Sequence, residues 1–382
     1  MDTKHKKRLR HIMVYTGIFI GAFGIGLLLA EILNHYHLMD IWRSIHPLWM
    51  ILLLLAFVFL SIILQVIIHE SGHLIFGLLS GYHFVSFRIG SIILIHNEGK
   101  WKLKRFSIPG TGGQCLMSPP DMEDGKIPYR MFNMGGAIMN LATCVVSIIL
   151  LILIKEHSIW SGFLILFALF GLIFGLTNGI PIHGEWIDND GYNALNLGKN
   201  PEALRAFWIT LKINALNSRG KRLTEMPLEW FKIPAEKDLM NPLICSLAVF
   251  SENRVMESRD YETAKDLIDW LGYIKTGMVP IYRAMLQCDR IFCELMVNGP
   301  TPKVDVLLTP SLDKIMQKMK TYPSVIRTRY ALALLKNKDE KEALRIKKRF
   351  ASASFRHPYP AEFKSEEKLL IDVDRKYRTL LK

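Results

Sequence analysis

Within the stretch QVIIHESGHLIFGLLSG, Gln65 to Gly81, three ionisable residues fall in the pattern His-Glu-x-x-His: His69, Glu70 and His73. On an α-helix, residues four apart share a face, so both imidazoles can offer a ring nitrogen to one metal ion. Glu70 lies beside that face, placed to take a proton from water that such an ion activates. Zinc suits these donors. It accepts imidazole nitrogen, keeps one position open, and lowers the pKa of water there to roughly 7. The chemistry that this pattern supports is hydrolysis of a carbonyl bond, with Glu70 as base and then acid.

The motif follows PLWMILLLLAFVFLSIIL, which is nearly all apolar. An ionisable group inside a bilayer costs about 2.5–3.5 kcal/mol on insertion scales, so three in five residues mark function rather than packing. Four stretches have the roughly twenty apolar residues that a span requires: about 12–33, 47–70, 132–154 and 159–180. The distribution of Lys and Arg orients them. MDTKHKKRLR is expected in the cytoplasm, and the first stretch reads as an uncleaved transmembrane helix rather than a signal peptide. The 34–46 loop carries only Arg43 and faces outward. The 81–131 segment, with Lys100, Lys102, Lys104, Arg105, Lys126 and Arg130, faces the cytoplasm. Residues 155–157 are outside and everything after 181 is cytoplasmic, which puts His69 and His73 near the cytoplasmic end of the second span.

The remaining segments must position or serve that site. From 84 to 108 the pattern is of short β-type runs around a turn at Asn97-Glu98-Gly99, a membrane-associated hairpin. Lys100, Lys102 and Lys104 alternate with Trp101 and Leu103, giving one charged face and one turned toward membrane or protein. PGTGGQC, 109–115, lacks the Gly-Lys-Ser/Thr ending of a phosphate loop and reads as a flexible connection. After 200, apolar residues recur at helical spacing in 260–274, 280–297, 323–336 and 339–353. These suggest an α-solenoid resembling tetratricopeptide repeats, with a plain helical bundle as the alternative because no clean 34-residue repeat is visible. The expected fold is an all-α polytopic membrane protein with a short β-hairpin and a C-terminal soluble helical domain. Its parts are 1–45 (tail, first span and outer loop), 46–200 (membrane core) and 201–382 (cytoplasmic helices).

The formal net charge of +13 fits contact with anionic cytoplasmic lipid, and no nucleic-acid motif accompanies it. The five cysteines, Cys115, Cys144, Cys245, Cys288 and Cys293, are odd in number and contain no C-x-x-C, which argues for reduced thiols.

Two histidines leave zinc short of a protein ligand. The fourth apolar stretch ends in GLTNGIPIHGEWIDNDGYNAL, where His183, Glu185, Asp188 and Asp190 all lie within reach of one helix end. Taken with His-Glu-x-x-His, the sequence Asn178-Gly179-Ile180-Pro181 followed by Asp190-Gly191 resembles the site-2 protease family of intramembrane zinc metalloproteases. MGGAIMNLA, 134–142, is similar to the glycine-rich stretch that the family carries between these motifs. The resemblance covers about residues 46–195. It implies one zinc ion held by His69, His73 and Asp190, Glu70 as catalytic base and Asn178 as a substrate-positioning residue. The family usually has about four residues between the proline and the aspartate; here there are eight, which keeps Asp188 as the alternative ligand.

The implied activity is cleavage of a peptide bond in or near a transmembrane segment of a membrane protein or peptide. The substrate would be held extended against the 84–108 hairpin, and Gly135-Gly136 and Asn178–Pro181 would supply irregular backbone at membrane depth. The implied setting is a bacterial cell membrane with both termini cytoplasmic, the C-terminal helices binding a protein partner and no nucleic acid bound. The alternatives are a metal transporter, or an inactive scaffold with a partner-binding helical domain.

Overall fold

The structure is a computed structural model that describes residues 46–381 apart from 98, 108–110, 155–157 and 185–187, together with seven positions between 16 and 31. The first expected span and the two outward loops therefore lie largely outside the described residues.

Helix α1 (Pro47–Leu79) is 33 residues long. Its start is set by His46, whose Nδ1 accepts from the Leu48 N–H at 3.3 Å, and by Pro47 in the first turn. At about 1.5 Å per residue it runs to about 50 Å, well beyond the roughly 30 Å of a bilayer interior. The helix thus carries the expected 47–70 span and continues through His-Glu-x-x-His. Helices α2 (Tyr129–Leu153) and α3 (Ile159–Gly179) match the other two expected spans, and these three are the described helices long and apolar enough to cross a membrane. They pack on one another with small residues at the crossings. A Cβ on Gly72 would meet the Gly135 backbone, so α1 and α2 touch through main chain. Gly135 and Gly136 sit inside regular helix, and only the segment after Gly179 is irregular.

The expected 84–108 hairpin supplies three strands of a four-stranded antiparallel sheet, in the order β3-β2-β1-β4. Its strands are β1 (His83–Ile89), β2 (Ile92–Asn97), β3 (Lys100–Arg105) and β4 (Gly113–Ser118). The unanticipated strand β4 begins within the glycine-rich run read from the sequence as a flexible connection. Its glycine answers to close approach: a Cβ on Gly113 would stand 2.6 Å from Glu70 Oε1. Pleating gives the sheet two faces. Phe87, Cys115 and Met117 pack with Tyr82 and Phe132 near the ends of α1 and α2. On the opposite face, Val85 and Leu116 pack against Ala215 and Tyr359, and Lys104 Nζ donates to the His357 carbonyl at 2.6 Å.

Beyond the short helix α4 (Asp190–Asn196), the chain is helical. Helix α5 (Pro201–Ser218) and helix α6 (Pro242–Glu257) share a core with Ile127 and Tyr129. Seven more helices follow: α7 (Tyr261–Tyr273), α8 (Pro280–Val297), α9 (Pro302–Leu307), α10 (Pro310–Lys318), α11 (Pro323–Ala331), α12 (Glu340–Arg356) and α13 (Pro360–Leu380). They enclose a second core around Ile291, Phe292, Ile326 and Val373. Several starts carry the same local signal, a capping side chain followed by proline: Asn200-Pro201, Asn241-Pro242 and Thr309-Pro310. All five cysteines are free and buried.

Candidate metal centre

His69 and His73 project from one face of α1, and Asp190 comes to them from the first residue of α4. His69 Nε2 lies 3.2 Å from His73 Nε2 and 3.2 Å from Asp190 Oδ2, and His73 Nε2 lies 3.4 Å from the same oxygen. Ligand atoms about 2.0–2.2 Å from a tetrahedral zinc ion stand roughly 3.3–3.5 Å apart, so the triangle fits such an ion.

The far side of each ring supports the same reading. His69 Nδ1 is 2.8 Å from Asn140 Oδ1, and His73 Nδ1 is 2.8 Å from the Phe132 carbonyl oxygen. Both amide hydrogens of Asn140 are used, on the Gln65 carbonyl at 2.9 Å and on Gln65 Oε1 at 2.7 Å, so its Oδ1 is the atom that must accept. Each imidazole therefore carries its hydrogen on Nδ1 and turns the Nε2 lone pair inward. Two nitrogen lone pairs and a carboxylate oxygen within 3.4 Å repel one another unless a cation lies among them. The residues present fit a zinc ion by donor type, spacing and tautomer.

Glu70 points from α1 to the sheet, where its carboxylate accepts the backbone N–H of Cys115 on β4. It is buried, with Gly113 against it. Gly136 lies under the His69 ring, where a Cβ would stand 2.5 Å from Cε1. Gly113 and Gly136 thus leave room for the Glu70 and His69 side chains.

Asp188 and Asn178 make other contacts. Asp188 accepts from His183 Nδ1 at 2.6 Å and from the Gly184 N–H at 3.1 Å, and it lies outside the triad. Glu185 is outside the described residues. Asn178 donates from its amide to the Phe174 carbonyl, one turn back in α3, at 2.9 Å.

Three contributors were not foreseen. Asn140 and Gln65 form the polar bridge behind His69, which Gln65 Nε2 extends to the Phe167 carbonyl on α3 at 2.9 Å. Asn189 fastens the Asp190 segment. Its amide donates to the Thr177 and Ile180 carbonyls at 2.8 and 2.6 Å, and its Oδ1 accepts from the Ile182 and Tyr192 N–H groups at 2.9 and 3.0 Å. The signal available was chemical: Gln65 and Asn140 are amides within apolar, membrane-length helices, where an unbonded polar group is costly.

Comparison of the chain with protein-family models, with curated proteins and with solved structures gave no match.

Proposed function

We propose that this protein is an intramembrane zinc metalloprotease of the site-2 type, a multi-pass membrane protein that cleaves membrane-embedded protein or peptide substrates. The observation that carries the reading is the meeting of His69, His73 and Asp190 from two separate elements, each imidazole anchored through Nδ1, with Glu70 beside them on a membrane-length helix.

His69 Nε2, His73 Nε2 and an Asp190 carboxylate oxygen would hold the ion. Bound there, zinc supplies Lewis acidity that makes water nucleophilic near neutral pH and polarises a carbonyl. Glu70 takes a proton from the attacking water and delivers it to the nitrogen of the departing amine. The Cys115 N–H keeps the Glu70 carboxylate aimed and Gly113 leaves it space. A helical substrate must unwind to expose its carbonyl, and an extended segment is best held by strand addition. The sheet edge nearest Glu70 is β4, which shifts the expected docking edge from the 84–108 hairpin to residues 113–118. The site lies toward the C-terminal end of α1, on the cytoplasmic side in the orientation that Lys and Arg favour. The C-terminal helices, an array akin to tetratricopeptide repeats, offer a surface for a protein partner.

The test compares Glu70→Gln with wild type in cells by membrane proteomics, with zinc content measured on the purified proteins. Fragments of membrane-spanning proteins should accumulate only with wild type, while both proteins hold one zinc per chain. Equal fragment yield from the variant would refute Glu70 as the base, and chains that bind no zinc would remove the reading altogether.

A further inference from the structure

Arg105, Lys320 and Arg349 line one cavity of about 470 Å³, remote in sequence from the metal-site residues. They come from three separate places: the end of β3, the turn after α10 and the middle of α12. On α12, Arg345 pairs with Glu342 and Lys347 with Asp374, but Arg349 has no carboxylate partner among the described residues. Among the described residues neither Arg105 nor Lys320 has one either. Three unneutralised cations facing one space repel one another, and an anion there would relieve that. Ser107, Thr321 and Ser352 add hydroxyl donors to the same walls. Arg guanidinium groups and hydroxyls together match the oxygens of a phosphate group.

Strand β3 indicates the origin of that phosphate. Trp101, Leu103 and Arg105 alternate along one face of this edge strand. Trp101 is 61% exposed and Leu103 71%, with no protein layer over them. An exposed tryptophan and leucine ending in an arginine are what a lipid–water boundary favours: the rings and chains lie among acyl groups, and the cation at the level of the headgroups. We propose that this cavity binds the phosphate headgroup of an anionic phospholipid, with the Trp101–Leu103 face seated in the same leaflet. Because Arg105 belongs to the sheet and Lys320 and Arg349 to the C-terminal helices, one bound headgroup clamps the two together. The inference rests on the membrane placement of the chain and not on the metal site, so its failure leaves the peptidase reading intact.

The experiment uses the full chain in detergent, with dioleoylphosphatidylglycerol or dioleoylphosphatidylcholine titrated in and bound lipid counted by native mass spectrometry. The phosphatidylglycerol should be retained selectively. The triple variant Arg105→Gln, Lys320→Gln, Arg349→Gln should weaken its binding by about fivefold per cation removed, on the order of a hundredfold in all. A control triple variant outside the cavity, Lys232→Gln, Lys237→Gln, Lys341→Gln, should bind as wild type. Equal retention of the two lipids, or equal loss in both triple variants, would overturn the site. Inorganic phosphate that binds more tightly than phosphatidylglycerol would overturn the lipid assignment.

Discussion

His69 Nδ1 and Asn140 Oδ1 stand 2.8 Å apart, joining α1 to α2 through the back of a candidate metal ligand. The contact fixes the ring's tautomer and its rotation, and Gln65 fixes Asn140 in turn. Asn140→Leu keeps the volume but removes the acceptor. Loss of such an outer partner typically costs about 10–100-fold in metal affinity. Competition with a chromophoric chelator should show zinc affinity falling by that amount. Asn140→Asp, which can still accept from Nδ1, should fall less. Equal affinity for Asn140→Leu and wild type would remove the bridge from the site.

Asp190 and Asp188 make a matched pair for testing the third ligand. Asp190 faces both imidazoles, whereas Asp188 is occupied by His183 and the Gly184 N–H. Zinc bound to Asp190→Ala should drop by more than the roughly 10–100-fold seen for outer-shell losses. Asp188→Asn should keep one zinc per chain. The reverse result would exchange the two assignments, and stoichiometry by elemental analysis decides between them.

Much of this arrangement was legible in the residues because its signals are local. His-Glu-x-x-His needs only helical spacing, and α1, α2 and α3 follow the lengths of their apolar runs. What escaped depended on contacts distant in the chain. Asn140 in an apolar helix has no local signature, and its partner His69 is 71 residues away. Gly112-Gly113 reads as a loop until Glu70 is seen packed against it. Helix α6 is not legible in the sequence because Ile244 through Val249 are all buried, so no one-sided stripe betrays its period. Helix α8 has a strong apolar face, and its periodicity marks the same bounds, 280 and 297, that the structure shows.

Gly191 is the closest crossing at the site. A Cβ there would overlap the Gly179 carbonyl and lie 3.0 Å from the Asn178 oxygen, all backbone. Gly191→Ala must push α4 away from the end of α3, and Asp190 moves with it. Overpacking of this kind costs about 1–3 kcal/mol. Both the melting temperature and the zinc content should fall. Gly272→Ala on α7 meets nothing within 4 Å and serves as the control, expected to stabilise by about 0.5–1 kcal/mol. A Gly191→Ala protein with full zinc content would show that α3 and α4 are not rigidly coupled.

The seam between the sheet and the C-terminal helices should weaken in acid. His357 is buried among Phe106, Tyr359 and Phe363, and burial pushes its imidazole down to about 4, from an ordinary 6.5. Its Nδ1 accepts from the Tyr359 N–H at 3.2 Å, as only a neutral ring can. Lys104 nearby opposes a positive charge there, while the Tyr359 carbonyl 3.2 Å from Nδ1 and the Glu362 carboxylate 3.7 Å from Nε2 favour it, and burial outweighs both. The folded state binds this proton less readily than the unfolded chain. The stability it contributes is therefore complete above about pH 6.5 and is lost as pH falls toward 4, by at most about 1.4 kcal/mol per unit. Thermal unfolding of wild type and His357→Asn between pH 4 and 7.5 should show a steeper acid decline for wild type. Parallel curves would mean that His357 becomes protonated without cost, and that this seam does not sense pH.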